Sequence, residues 1–228
     1  MAQQLISFDE QFSARLSSGE DIQSVFKDAL PFTSCTTIEY GPSIVIAKPG
    51  ATVVSKQELA RHIIVGRRFP SQQVIEQGSG CPLQFQEMFP SDGKYRIAVF
   101  AGDISRPEQL LRVEVFGQAF GLLQSSLQKP HLEQEYAKSI LDVLILHRSS
   151  RQDVRFCNLP LVLCDRSKSN VYADNLPYVG GLGNAYQAYG VDYIKGCLVV
   201  VRPDGHVMFI GDFEDFGKLS TMFSDVLL

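Results

Sequence analysis

The sequence predicts an α/β protein, a central sheet flanked by helices and preceded by an N-terminal helical extension, and three observations carry that prediction. The run Tyr95–Ala101 is short, apolar and rich in strand formers, and it closes on Gly102 and Asp103, the pattern of a buried strand that meets a turn. Apolar residues then recur at helical spacing through Leu110, Leu111, Val113, Phe116, Phe120, Leu123 and Leu127. Near the C-terminus, the strand-like runs Gly196–Arg202 and His206–Ile210 flank Pro203, Asp204 and Gly205, which is a hairpin signal. Residues 1–50 read as a helical extension with a connector, and residues 51–228 as the α/β domain.

Taken in order, Leu5, Phe8, Phe12 and Leu16 predict a first amphipathic helix. Ser18 and Gly19 break it, and Ile22, Val25, Phe26, Ala29 and Leu30 predict a second that ends before Pro31. Both helices have an apolar face to bury, on this chain or on a partner. A short β-prone run at Ser43–Ala47 lies in a connector rich in Thr, Ser, Gly and Pro. Ile63–Pro70 reads as a strand that runs into a turn, with Gly66 free to adopt positive φ and Pro70 fixing the exit. Residues 71–93 read as a loop or hairpin that ends in the turn Pro90–Gly93. After the Tyr95 strand, Ser105 with Glu108 three residues on, and Pro107 between, predicts a capping box at the start of the long helix. A further helix is expected at His131–Ser139, a strand at Ile140–Leu146, and another at Leu161–Cys164 or Val171–Ala173. The glycines between Tyr178 and Asn184 open a short helix that Gly190 caps, and Asp212 caps a last helix through Phe216, Leu219, Met222, Phe223 and Leu227.

Composition removes several function classes. A net charge of −4 with acids and bases intermixed gives no electrostatic footprint for nucleic acid. Runs such as Ile140–Leu146 and Cys197–Val201 are too short to span a bilayer, and no basic stretch followed by an apolar core opens the chain, so a cytoplasmic protein is expected. The five cysteines, Cys35, Cys81, Cys157, Cys164 and Cys197, are widely spaced and stand apart from the four histidines in any metal-ligand pattern. Reduced structural thiols and no bound metal are therefore expected. The Gly-rich opening at Gly180–Gly183 lacks the βαβ surroundings of a nucleotide-binding turn and reads as flexible helix initiation.

The order of strand, helix, strand, helix, hairpin and helix from Tyr95 to Leu228 resembles thioredoxin. More specific stretches, Gly66-x-Arg68-x-Pro70, Val99–Asp103, Val171–Asp174, Ala188–Asp192 and Val199–Asp204, resemble the C-terminal thioredoxin-like domain of the phenol hydroxylase (phenol 2-monooxygenase) flavoproteins, and Ile6–Phe12 with Phe32–Tyr40 is similar to that family's approach to the domain. The resemblance implies a domain associated with dimerisation rather than catalysis, here without the FAD-binding and substrate-binding domains that precede it in the family. No dinucleotide-binding Gly-x-Gly-x-x-Gly follows an N-terminal strand, so no FAD or other cofactor is expected. Thiol redox chemistry needs a low-pKa thiolate at the first long helix with a resolving cysteine two residues away, and Gly102–Pro107 stands at that position. Asp192–Gly196 likewise lacks the proline that thioredoxin-like proteins place before the hairpin. Cys81 is the remaining candidate for a peroxidatic role.

Two functions follow. One is an association module, a homodimer or an accessory subunit for a separate flavoprotein monooxygenase in secondary metabolism. The other is a cofactor-independent isomerase, cyclase or dehydratase acting on a phenolic, quinoid or polyketide intermediate. For the second, arginine would stabilise an enolate or phenolate while His, Asp or Tyr moves a proton, and the candidates are His62, Arg67, Arg68, Asp103, Tyr178, Tyr186 and His206. Each also has a structural reading: a turn residue for Asp103, ion-pair partners for the arginines, a hairpin residue for His206.

Overall fold

The computed structural model describes residues 2–33, 38–127, 140–155, 159–160, 163, 170–177 and 181–227, which fall into two compact units, Met1–Glu39 and Tyr40–Leu228. The first unit is a pair of helices, α1 (Ala2–Ser17) and α2 (Ile22–Thr33). Their break is built from Ser18 and Gly19, whose φ of 80° suits only glycine, and Asp21 caps α2 by accepting from Ser24 N. The Phe12 and Phe26 rings meet edge to face at 5.2 Å across the pair. Helix α2 continues past the expected stop at Pro31, which sits inside its last turn, where the missing N–H forgoes a single intrahelical bond.

The second unit is built on one seven-stranded mixed sheet: β1 (Gln73–Glu76), β2 (Pro82–Gln84), β3 (Tyr95–Gly102), β4 (Leu141–His147), β5 (Val171–Ala173), β6 (Cys197–Val201) and β7 (Val207–Gly211), ordered β2-β1-β5-β4-β3-β6-β7. Strands β3, β4 and β5 run parallel, while β6 and β7 form the antiparallel hairpin anticipated around Pro203–Gly205. Helix α3 (Pro107–Leu127) connects β3 to β4, the short α4 (Ala185–Tyr189) precedes β6, and α5 (Phe216–Leu227) closes the chain. The inner order β4-β3-β6-β7, two parallel strands beside an antiparallel hairpin with a closing helix, is thioredoxin-like, as expected.

Every residue of β3 from Arg96 to Gly102 is buried, because both sheet faces are covered. Ile97, Val99 and Ala101 face Val113, Phe116 and Phe120 of α3 and Leu219, Met222 and Phe223 of α5. Ala98 and Phe100 face the other way, into an aromatic layer of Phe69, Phe85, Phe89, Tyr172, Tyr186 and Tyr189. Asp212 and Asp215 form a reciprocal capping box in the turn before α5, as Asp212 predicts.

Two further expectations are corrected. Ile63–Pro70 is not a strand: it touches the outer edge of β7 at separate points, Gly66 N to Val207 O, Val207 N to Arg67 O and Phe69 N to Gly205 O, because Gly66 at φ 85° turns the chain between them. Ser43–Ala47 lies in an irregular connector, as expected; Ala47 N on Met208 O and, further on, Lys56 N on Ile210 O help to cover that edge. At α3 the capping box does not form, since the Ser105 hydroxyl and N–H both donate to Asp103 Oδ1 and the helix begins two residues later. The expected helix at His131–Ser139 and, apart from Leu163, the alternative strand at Leu161–Cys164 lie outside the described residues. Among the described residues no helix is long and apolar enough to cross a membrane.

Gly66 offers a direct test of the edge cover. A Cβ there would lie 2.5 Å from Tyr40 O, whereas one at Gly93, φ 84°, meets nothing within 4 Å. Gly93→Ala should therefore lose about 1 kcal/mol to the left-handed backbone alone, and Gly66→Ala about 3 kcal/mol by adding the collision; urea denaturation of the two variants compares them.

Candidate functional site

Redox members of a thioredoxin-like fold work where the central strand hands over to the long helix, so the joint after β3 is the place to look for chemistry. Here the joint is irregular and filled. Strands β3 and β4 slip register there, Phe100 facing Leu146 and Gly102 facing His147, so that Ala101 is an extra, bulged residue. Each backbone group displaced by the bulge is taken up by a buried side chain. The Ala101 carbonyl accepts from Gln109 Nε2 at 2.9 Å, and Gly102 N donates to the Tyr186 hydroxyl at 2.7 Å. That hydroxyl in turn donates to Leu146 O at 2.6 Å. Gly102 has φ 70°, and a Cβ there would collide with the Tyr193 carbonyl, so the residue type is fixed by both backbone and neighbour.

Tyr186 is held by Asp174, a fully buried carboxylate at the end of β5. Its Oδ1 accepts from Ala185 N at 2.9 Å and its Oδ2 from Tyr186 N at 3.0 Å, which fastens the first turn of α4 to the sheet. Gly183 leaves no room for a Cβ against that carboxylate. Burial raises the Tyr186 hydroxyl well above the ordinary tyrosine range, so with both of its hydrogen bonds committed it is a strut rather than an acid or base.

Around this strut lie Asp103, His147 and Arg148. Burial opposes ionisation of Asp103, but hydrogen bonds from Ser105 and from Ser149 Oγ at 2.9 Å outweigh it and hold the carboxyl below its usual range. His147 is completely buried; Nε2 bonds Gln77 Oε1 at 3.0 Å, and burial, opposed in part by a hydrogen bond with the Ser149 backbone, lowers the ring to about 4. Gln77 is clamped in turn by its own Nε2, which donates to Arg151 O and Val154 O. The Arg148 guanidinium lies 4.7 Å from the Tyr193 ring centroid. Cys197 is buried behind the joint with its thiol raised by burial, the opposite of an activated thiolate. Cys81 is exposed, on the β1–β2 turn at the far edge of the sheet.

The sequence candidates do not converge. Asp103 and Tyr186 flank the joint. Arg68 and His206 pair across a β-bridge beyond the opposite end of β3, since Arg96 at its start faces Val201 and the hairpin turn lies past it. Eight residues of strand separate the two groups by roughly 20 Å. His206 is buried against the Tyr40 ring, centroids 4.8 Å apart, with Asp204 Oδ1 3.4 Å from Nδ1. Arg67 and Arg68 are exposed, and Arg68 with Phe69, Gln84, Glu87 and Asp204 lines an open surface cleft of about 610 Å3. His62 is exposed on a separate loop, its Nδ1 2.9 Å from Ala188 O. Tyr178 lies outside the described residues. Sequence reading missed Gln109, Asp174, Gln77 and His147. Asp174 stands inside one of the resemblance stretches, yet only the three-dimensional turn shows that it caps residues eleven and twelve positions on. Among the described residues no group of three or more His, Cys, Asp or Glu is placed to hold a metal.

A thioredoxin-like domain with a filled joint in place of a cysteine pair is the class that this fold and joint define. The comparison with known families makes it specific: residues 38–228 match the phenol hydroxylase C-terminal dimerisation domain, and the chain belongs to that family. It is 30% identical to the phenol 2-monooxygenase fsqG of Aspergillus fumigatus, over 98% of this chain and 38% of that protein. It is 28% identical to the FAD-dependent monooxygenase terD of Aspergillus terreus, over 91% of this chain and 34% of that one. The chain thus spans little more than a third of the curated relatives it matches. Among solved structures, a thioredoxin-like protein from Bacteroides caccae superimposes with a TM-score of 0.48 at 15% identity, over 72% of this chain and 52% of that one.

Two measurements test the joint. Tyr186→Phe keeps the ring but strands the Gly102 N–H and the Leu146 carbonyl, and should lower stability by about 2–4 kcal/mol in urea denaturation. The second is a pH dependence. With His147 depressed from 6.5 to about 4, the unfolded chain binds the proton more readily, so the stability that the neutral ring contributes is present above pH 6.5 and is lost as pH falls toward 4. The slope reaches up to about 1.4 kcal/mol per pH unit, and His147→Gln should flatten it.

Proposed function

We propose that this chain is a non-catalytic association module of the aromatic hydroxylase lineage, flavin-free and redox-inactive, which works in the cytoplasm as a homodimer or docked on a separate flavin monooxygenase. One observation carries the reading: the place where the fold would do thiol chemistry is occupied by a closed hydrogen-bond network around the Tyr186 hydroxyl. Family membership supports it, since the matching family is described by dimerisation. So does the dispersal of Arg68 and His206 from Asp103 and Tyr186, which leaves acid–base catalysis without a set of described groups facing one substrate. The exposed apolar side chains Ile22 and Phe26 of α2, and Leu111, Val115 and Leu122 of α3, are the surfaces in keeping with a partner.

The purified chain should lack visible flavin absorption after addition of FAD and desalting, and should fail to reduce insulin with dithiothreitol above the uncatalysed rate. Sedimentation should show a dimer, or a complex when a flavin monooxygenase of the same lineage is added. Stoichiometric flavin retention or catalysed disulfide reduction would each refute the corresponding part.

A further inference from the structure

Helix α3 is apolar on two opposite sides. Its inner side, Gln109, Val113, Phe116, Gly117, Phe120 and Leu123, is buried, most of it on the sheet. Directly opposite, Leu111 is 59% exposed, Val115 58% and Leu122 73%, with Gln118 exposed between them. Amphipathic surface helices reserve that side for charge. The four residues are spaced four, three and four apart, the seam of a coiled coil, and the inner residues fall at the positions that such a seam leaves on the helix's far side.

The spacing reads the same from either end. We propose that α3 is the surface by which two copies of this chain associate, the two helices antiparallel about a two-fold axis that passes beside Phe116 and Gly117. This rests on the reading of the chain as an association module and names the surface and register it uses. In that register Leu111 meets the second copy's Leu122 at both ends, and Val115 meets the second copy's Gln118 on both sides of the axis, so the two Gln118 side chains lie next to the axis as the polar position that disfavours slippage. The flanks fit as well. Arg112 lies beside the second copy's Ala119 and Glu114 beside its Gly121, while Glu108 at the end of the seam meets its Ser125, so each charged residue is met by a small neutral one and the backbones have room to approach. Arg112 is already neutralised within its own chain by Asp212 at 2.7 Å and Glu214 at 3.1 Å. A parallel pairing would set Glu108, which continues the seam, against its own copy, which charge repulsion opposes. The three apolar side chains expose roughly 300 Å2 per copy, below the ~800 Å2 per partner of a tight complex, so the dimer should dissociate on the order of micromolar rather than nanomolar.

Sedimentation equilibrium across that range decides the matter, with thermal melts to show that variants at these exposed positions stay folded. Leu111→Lys and Leu122→Glu should each raise the dissociation constant at least ~10-fold. Combined in one chain they should restore association, since the antiparallel register places lysine against glutamate at both ends; residues eleven apart on one helix cannot pair with each other. A wild-type dimer indifferent to both single substitutions would overturn the α3 surface while leaving the association reading intact. Weakening by each single substitution without rescue by the pair would overturn the antiparallel register. A wild-type chain that stays monomeric at these concentrations, whether its own N-terminal helices or another protein covers α3, would overturn self-association altogether.

Discussion

The Tyr186 hydroxyl between Gly102 N and Leu146 O is the contact on which the centre of this domain depends. A one-residue bulge at the end of a buried parallel pair strands backbone groups away from the surface, and unpaired buried groups of that kind are too costly to leave. The remedy comes from far along the chain. Tyr186 arrives from 84 residues away, is steered by the Asp174 carboxylate, and ties β3, β4 and α4 into one unit. Gln109 does the same for the bulged carbonyl and also reaches Lys195 O, so α3 is fastened both to the strand before it and to the loop before β6. Close glycine contacts complete the joint. Gly196, with φ 65°, presses on the Phe100 carbonyl as Gly102 presses on that of Tyr193, and a Cβ at either would force the strands apart.

This arrangement explains how a fold associated with disulfide chemistry reads as a scaffold here. A catalytic thiol needs an exposed helix start, a stabilised thiolate and space for a second sulfur. At this joint the helix start is preceded by Asp103, whose carboxylate takes the Ser105 N–H, and the strand ends are covered by a tyrosine whose hydroxyl burial raises well above the ordinary range. The one cysteine described nearby sits inside the aromatic-face core, where burial keeps it a neutral thiol. With its backbone groups paired, the joint holds α3 against the strand end and the loop before β6.

Much of the fold was legible because its signals are local. The continuous apolar run of β3, helical spacing in α3 and the Pro-Asp-Gly turn of the β6–β7 hairpin each fix an element without reference to the rest. The failures lie where tertiary pairing overrides such signals. Ile63–Pro70 has strand composition, but Gly66 bends it and β7 accepts it only at intervals, so it becomes an edge cover. Ser105 and Glu108 have capping-box spacing, but Asp103 is two residues away and captures the serine first. The joint was the least legible part. Nothing in the sequence announces a bulge, so the roles of Gln109, Asp174 and Tyr186, which exist only to answer it, could not be read; Tyr186 was selected for its chemistry and Asp103 for its charge, and the structure gives both a supporting task.

The same reasoning connects the joint to the outer side of α3. A helix whose two sides are both apolar is defined by what holds it, and the inner attachment here is unusually directional. Gln109 is bonded to the strand end, and Arg112, one step round the helix, bonds Lys195 O at 2.7 Å and the acidic turn before α5. The Arg112 hydrogen bond is the largest influence on Glu214, whose carboxyl is lowered to about 2, while burial raises that of Asp212, which shares the same guanidinium. These contacts fix the rotation of α3 about its own axis, not merely its position against the sheet. Rotation is the property that a seam of Leu111, Val115, Gln118 and Leu122 requires, because a turn of one residue would carry the stripe off the outer face. The hydrogen bonds at the joint therefore also fix which side of α3 stays outermost, the property on which the proposed pairing depends.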